Sequence, residues 1–205
     1  MLELNRDIAE RIKLVKVILL GCSAGGFQLT FELLSKLPSG FPLPVIVIIH
    51  RSPKYKSAVE DILNDKGNLP VRLAMDKEKM VKGIIYFAPP DYHLLIEPNG
   101  ELTLDYSEPV HYCRPSIDIS FESFSDVYTK DVLAILLSGA NEDGAEGMDY
   151  VSRAGGITVV QDPDSAEVKI MPEAAISRTN IDLILKDQEI FELMDAITNL
   201  KSHIS

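Results

Sequence analysis

At 205 residues, 46% hydrophobic and 25% charged, the chain is long enough to bury a substantial core as one domain and shows no low-complexity bias. Its 31 acidic against 20 basic side chains leave a net charge of −11, which argues against nucleic acid as a partner, because such binding leaves a basic patch. The longest apolar runs, Val45–Ile49 and Val132–Leu137, are strand-length, so no membrane insertion is expected. Met1–Arg11 is charged where a secretory signal is apolar, and two cysteines form neither a disulfide framework nor a zinc pattern, which together read as a cytoplasmic protein.

Taken in chain order, apolar runs alternate with amphipathic stretches. A first strand is predicted over Lys16–Leu20, followed through a glycine-rich turn by a helix over Gly25–Leu37. A strand over Val45–Ile49, a helix over Lys56–Asp65 and strands over Val71–Ala74 and Gly83–Phe87 come next. Ala88-Pro89-Pro90-Asp91 is a loop by composition. Tyr92–Glu97 and Leu102–Asp105 flank Pro98-Asn99-Gly100-Glu101, and Asn-Gly between two β-runs predicts an antiparallel hairpin. A helix over Ile117–Tyr128, a strand over Val132–Leu137, a helix over Gly144–Arg153, strands over Ile157–Val160 and Leu183–Leu185 and a helix over Gln188–Lys201 complete the chain. Several strands are apolar throughout rather than alternating, the mark of parallel strands covered on both faces. The predicted fold class is α/β: a doubly wound, mainly parallel sheet of about seven strands with an inserted antiparallel hairpin, in one domain. That domain spans 1–205, with its core over roughly 14–200.

The turn after the first strand carries Gly21-x-Ser23-x-Gly25. This spacing suits a nucleophile elbow, in which a sharp strand-to-helix turn exposes the serine hydroxyl; it equally suits a phosphate-cradling turn. Ligands of open α/β sheets bind beyond the carboxyl ends of the strands, so the side chains there carry the argument. His50 follows the second strand, and Asp143 lies in Ser138-Gly139-Ala140-Asn141-Glu142-Asp143-Gly144 after the strand over Val132–Leu137. A serine hydroxyl needs a base to remove its proton, an imidazole titrates near working pH, and a carboxylate on the other ring nitrogen fixes the tautomer. The order Ser, His, Asp differs from that of α/β-hydrolases. Each residue also has a plain reading: His50 as a loop residue, Asp143 as cap of the helix starting near Gly144, Glu142 as a competing acid. A nucleotide site would want an acidic residue at the end of the second strand, where His50 stands instead. His93, His111 and His203 read as surface or packing residues without metal-ligand spacing, and Cys22 as a small buried side chain or a second nucleophile.

Several ordered blocks identify a resemblance to the catalytic domain of chemotaxis-type protein-glutamate methylesterases (CheB). They are Gly21-Cys22-Ser23-Ala24-Gly25-Gly26, Ile49-His50-Arg51-Ser52-Pro53, Tyr86-Phe87-Ala88-Pro89-Pro90-Asp91-Tyr92-His93, Arg114-Pro115-Ser116-Ile117-Asp118, Leu137–Met148, and Gln161-Asp162-Pro163-Asp164-Ser165-Ala166 with Met171-Pro172-Glu173-Ala174-Ala175-Ile176. The resemblance implies hydrolysis of glutamate methyl esters on the cytoplasmic domains of methylated chemoreceptors, with deamidation of receptor glutamines as a second activity. It implies Ser23 as nucleophile, His50 as base, Asp143 as acid, and an oxyanion hole from the backbone N–H groups of Ala24 and Ala140, with no cofactor and no metal. A catalytically weak or inactive binding module of the same fold is the alternative.

The chain departs from the family pattern at Ala24, where threonine is usual, at Ala140, where methionine is usual, and at Ile49-His50-Arg51 and Asn141-Glu142. Arg51 is expected either to depress the His50 pKa or to bind an acidic group of the substrate, and Arg114 either to wall the substrate cleft or to start a helix as a solvated side chain. Typical members carry an N-terminal receiver domain. With Ser23 near the start, the expectation is an unregulated esterase, one regulated by a separate protein, or a fragment of a longer protein.

Overall fold

The computed structural model describes residues 2–51 and 58–202. In chain order the elements are α1 (Arg6–Leu14), β1 (Val17–Cys22), α2 (Phe27–Lys36), β2 (Val45–Ile49), α3 (Val59–Lys66), β3 (Val71–Leu73), β4 (Ile85–Phe87), β5 (His93–Ile96), β6 (Leu102–Asp105), α4 (Ile117–Tyr128), β7 (Val132–Leu136), α5 (Ala145–Arg153), β8 (Ile157–Gln161), α6 (Ile170–Arg178), β9 (Leu183–Leu185) and α7 (Asp187–Ser202). Seven strands form one parallel sheet in the order β3-β4-β2-β1-β7-β8-β9, and β5 and β6 form the expected antiparallel hairpin. The doubly wound α/β class is as expected. Lys56, Ser57, the Ser52-Pro53 part of one block and His203 lie outside the described residues.

Every residue of β1, β2, β7 and β8 is buried, because helices cover both faces. Ile18, Leu20 and Cys22 face one core with Ile12 of α1, Leu33 of α2 and Ile190 of α7; Val17 and Leu19 face the other, with Phe121 of α4, Met148 of α5 and the hairpin's Leu94 and Ile96. In α4, Ile117, Phe121 and Phe124 lie along one buried stripe; emptying the Phe121 site by truncation to alanine costs about 3–5 kcal/mol.

Two helices are additional to the sequence reading. α1 begins at Asn5, whose Oδ1 accepts from Ile8 N at 2.8 Å, and it buries only Ile8 and Ile12 among charged neighbours. α6 carries Pro172 in its first turn, where a missing N–H costs no helical hydrogen bond.

Candidate active site

Chain reversal in the sheet order falls between β1 and β7, with β2 on the other side of β1. The segments leaving these three strands meet at one edge, which is where Ser23, His50 and Asp143 come together. Ser23 Oγ lies 3.2 Å from His50 Nδ1, and His50 Nε2 lies 2.7 Å from Asp143 Oδ2. Asp143 is an obligate acceptor, so the imidazole proton is assigned to Nε2, which leaves the Nδ1 lone pair facing the serine.

The turn that presents Ser23 is held by backbone. Ser23 N donates to Ser138 O at 2.9 Å and Gly26 N to Ser23 O at 3.1 Å. Gly25 has φ +78°, and a Cβ there would stand 2.7 Å from Ser138 Oγ and 2.8 Å from Glu167 Cβ. Ser138 Oγ in turn accepts from Val168 N at 2.8 Å and lies within reach of Ala24 O (3.0 Å) and Val168 O (2.9 Å). Among the described residues, the N–H groups of Ala24 and Ala140 donate no hydrogen bond, and both residues are exposed.

Asp143 is fully buried and has four donors: His50 Nε2, Ile117 N at 2.8 Å, Ser116 Oγ at 2.8 Å and Asp118 N at 3.1 Å. It precedes α5, yet its carboxylate caps α4. Asp118, in the first turn of α4, returns the arrangement: its Oδ1 accepts from Gly144 N and Gly147 N at the start of α5, each at 2.7 Å. Each helix N-terminus thus solvates the carboxylate of the other segment. Burial pushes the Asp143 carboxyl up, but the His50 hydrogen bond and the N–H groups of Ile117 and Asp118 outweigh it and hold it below the usual range. Burial, then the Asp143 charge, raises Asp118 to about 7 against the two α5 N–H groups. Burial lowers His50, but Asp143 and then Cys113 override it and raise it to about 9. Arg51 therefore does not set the His50 pKa as expected.

Both expected arginines line a cavity of about 340 Å³ beside His50, together with Asp91, Tyr112 and Cys113. Each has some contacts within the chain, but Arg51 Nε and Nη2 and Arg114 Nε are buried with no hydrogen-bond partner among the described residues. Arg51 pairs with Glu60 at 2.7 Å and lies over Phe87, while Arg114 donates to Ser107 O (2.8 Å) and Tyr106 O (3.2 Å) and stacks on Tyr106. Cys22 is buried beneath Thr30, and burial pushes its thiol up to about 12, which suits a packing role. His111 is half exposed, with Nε2 3.7 Å from Asp118 Oδ2.

Three contributors were not assigned tasks from the sequence. His93, expected as packing, is buried: its Nδ1 accepts from Ser116 N (3.1 Å) and its Nε2 donates to Glu108 O (3.1 Å), so it steadies the start of α4. Ser116 combines the Asp143 bond with an N-cap bond from Ile119 N (3.4 Å), and the Ser-x-Asp start of a helix was its only sequence signal. Cys113 Sγ lies 3.5 Å from His50 Nδ1, which no spacing in the chain reveals.

A family model described as CheB methylesterase matches residues 18–194. A Leptospira interrogans serovar copenhageni protein, provisionally named protein-glutamate methylesterase/protein-glutamine glutaminase, is 38% identical over 178 residues, 87% of this chain and 92% of that protein. The protein-glutamate methylesterase/protein-glutamine glutaminase of Nitrosospira multiformis is 33% identical over 193 residues, 94% of this chain but 54% of that protein, so this chain spans about half the length of such relatives. The Thermotoga maritima CheB methylesterase catalytic domain superposes with a TM-score of 0.82 at 29% identity, covering 88% of this chain and 97% of that one. With most of the chain matched by the family model and its fold shared with a solved catalytic domain, the chain belongs to the CheB methylesterase family.

Proposed function

We propose that the chain is one catalytic domain that hydrolyses glutamate side-chain methyl esters on methylated chemoreceptors, acting in the cytoplasm, and that it deamidates receptor glutamines by the same acyl transfer. The observation that carries this reading is the continuous contact of Ser23 Oγ, His50 Nδ1, His50 Nε2 and Asp143 Oδ2. Ser23 attacks the ester carbonyl while His50 Nδ1 takes its proton; Asp143 stabilises the imidazolium through Nε2. The N–H groups of Ala24 and Ala140 are the proposed donors to the tetrahedral oxyanion, a contribution on the order of a hundred- to thousandfold in rate per donor. His50 returns the proton to the departing methanol, or to ammonia from glutamine, and then activates the water that releases the glutamate. Substrate recognition is assigned to local contacts around the cavity lined by Arg51 and Arg114, and a separate regulatory protein is a candidate second partner.

The test is methanol release from methylated receptor membranes. Ser23→Ala is expected to lower turnover by about 10⁴-fold or more while retaining the wild-type melting temperature. Unchanged methanol release by that variant overturns the assignment.

A further inference from the structure

Ester hydrolysis leaves Cys113 without a task, yet its Sγ is 3.5 Å from His50 Nδ1, the nitrogen that also faces Ser23 Oγ at 3.2 Å. Its position is fixed. Val110 and Cys113 exchange both backbone hydrogen bonds (3.1 and 2.8 Å) across a two-residue turn, in which His111 and Tyr112 both take positive φ, +49° and +62°. Positive φ at both central residues is the geometry of a tight two-residue turn of the hairpin type. Asn141 Nδ2 donates to Cys113 Sγ at 3.3 Å, while Asn141 Oδ1 is buried with no partner among the described residues.

These separations match a metal's coordination edges. Tetrahedral Zn2+, with Zn–S of about 2.3 Å and Zn–N of about 2.0–2.1 Å, has an S···N edge of about 3.5 Å, the separation of Cys113 Sγ from His50 Nδ1; an oxygen at about the Zn–N length gives an O···N edge of about 3.3 Å, close to that of Ser23 Oγ from His50 Nδ1. The histidine is also arranged as a ligand: Asp143 accepts from Nε2, which orients the ring and leaves the Nδ1 lone pair outward, the usual carboxylate–histidine–metal relay.

We propose that His50 Nδ1, Cys113 Sγ and Ser23 Oγ form an inhibitory site for a thiophilic divalent cation of the Zn2+ type. The thiol gives up its proton to solvent as the Zn–S bond forms, and a water completes the coordination. A thiolate with an imidazole selects zinc over magnesium or calcium. Inhibition follows because the bound cation occupies the lone pair that the base needs and the oxygen that attacks. This regulatory consequence rests on the functional reading above; the metal site itself does not.

Zinc binding to the full chain is measured by calorimetry, and Co2+ is used as a spectroscopic probe for thiolate-to-metal charge transfer. Ester hydrolysis is followed with and without Zn2+, as a ratio for each protein. One cation per chain is expected, with a cobalt–thiolate band. Cys113→Ser is expected to weaken binding by about tenfold or more, to remove the band and to relieve inhibition by the same factor. Cys22→Ala, altering the buried cysteine, is expected to bind as wild type. Undiminished binding by Cys113→Ser, a missing band or no binding at sub-millimolar Zn2+ overturns the proposal; Cys113→Ala guards against a folding defect of the serine variant. Should no ester be turned over by any protein, the functional reading fails, and calorimetry and the cobalt band still decide the site.

Discussion

Ser116→Ala tests how the buried acid is held. Ser116 is fully buried, donates to Asp143 Oδ1 at 2.8 Å, and accepts from Ile119 N as the cap of α4. Loss of the cap costs about 1 kcal/mol, and loss of a hydrogen bond to a buried charge about 1.5–3 kcal/mol. Asp143 keeps His50 and the N–H groups of Ile117 and Asp118, so the lower part of that second range applies. The total is about 2–3 kcal/mol, or a melting-temperature drop of roughly 4–12 °C for a domain of this size. Activity is expected to fall only about tenfold, because the His50–Asp143 bond itself remains. Urea unfolding with an unchanged m-value and methanol release read the two effects separately. Ser116→Gly retains most of the cap value but not the hydroxyl, so its loss relative to wild type isolates the Asp143 bond, and its difference from alanine isolates the cap. A stability loss below about 0.5 kcal/mol, or an activity loss as deep as that of Ser23→Ala, refutes the reasoning.

Gly25→Ala and Gly40→Ala separate backbone strain from steric conflict. Both positions have φ near +80°, but a Cβ at Gly40 meets nothing within 4 Å whereas one at Gly25 meets Ser138 and Glu167 below 3 Å. Gly40→Ala is expected to cost about 1–2 kcal/mol, with Gly25→Ala costing more and displacing Ser23 enough to abolish activity; equal melting temperatures and intact turnover contradict this. The base acts only when neutral, so kcat/KM is expected to climb with pH toward about 9. Asp143→Asn, which removes the leading upward influence on His50, should shift that midpoint downward. The same raised pKa stabilises the fold fully below the ordinary value of 6.5, a contribution lost as pH rises through about 9. Urea midpoints that decline no more steeply across this window than those of His50→Ala rule it out.

The strands, the hairpin and the three strand-end residues were legible in the sequence because each is a local pattern: apolar runs such as Val45–Ile49, the Asn99-Gly100 turn, and glycines around Ser23. α1 is amphipathic but buries only Ile8 and Ile12 within a charged stretch, and α6 is weakly amphipathic with a Pro172 that looks like a breaker unless the helix start is known. Only the tertiary structure decided what surrounds the site. Asp143, adjacent in sequence to α5, spends its carboxylate on α4; Arg51 is matched by Glu60; Cys113, 63 residues from His50, comes to 3.5 Å from it. Those contacts depend on β1 lying between β2 and β7 and on the hairpin folding back over the sheet edge. Periodicity and turn chemistry act over a few residues, whereas the neighbours of a buried charge are set by which distant segments the packed layers bring together.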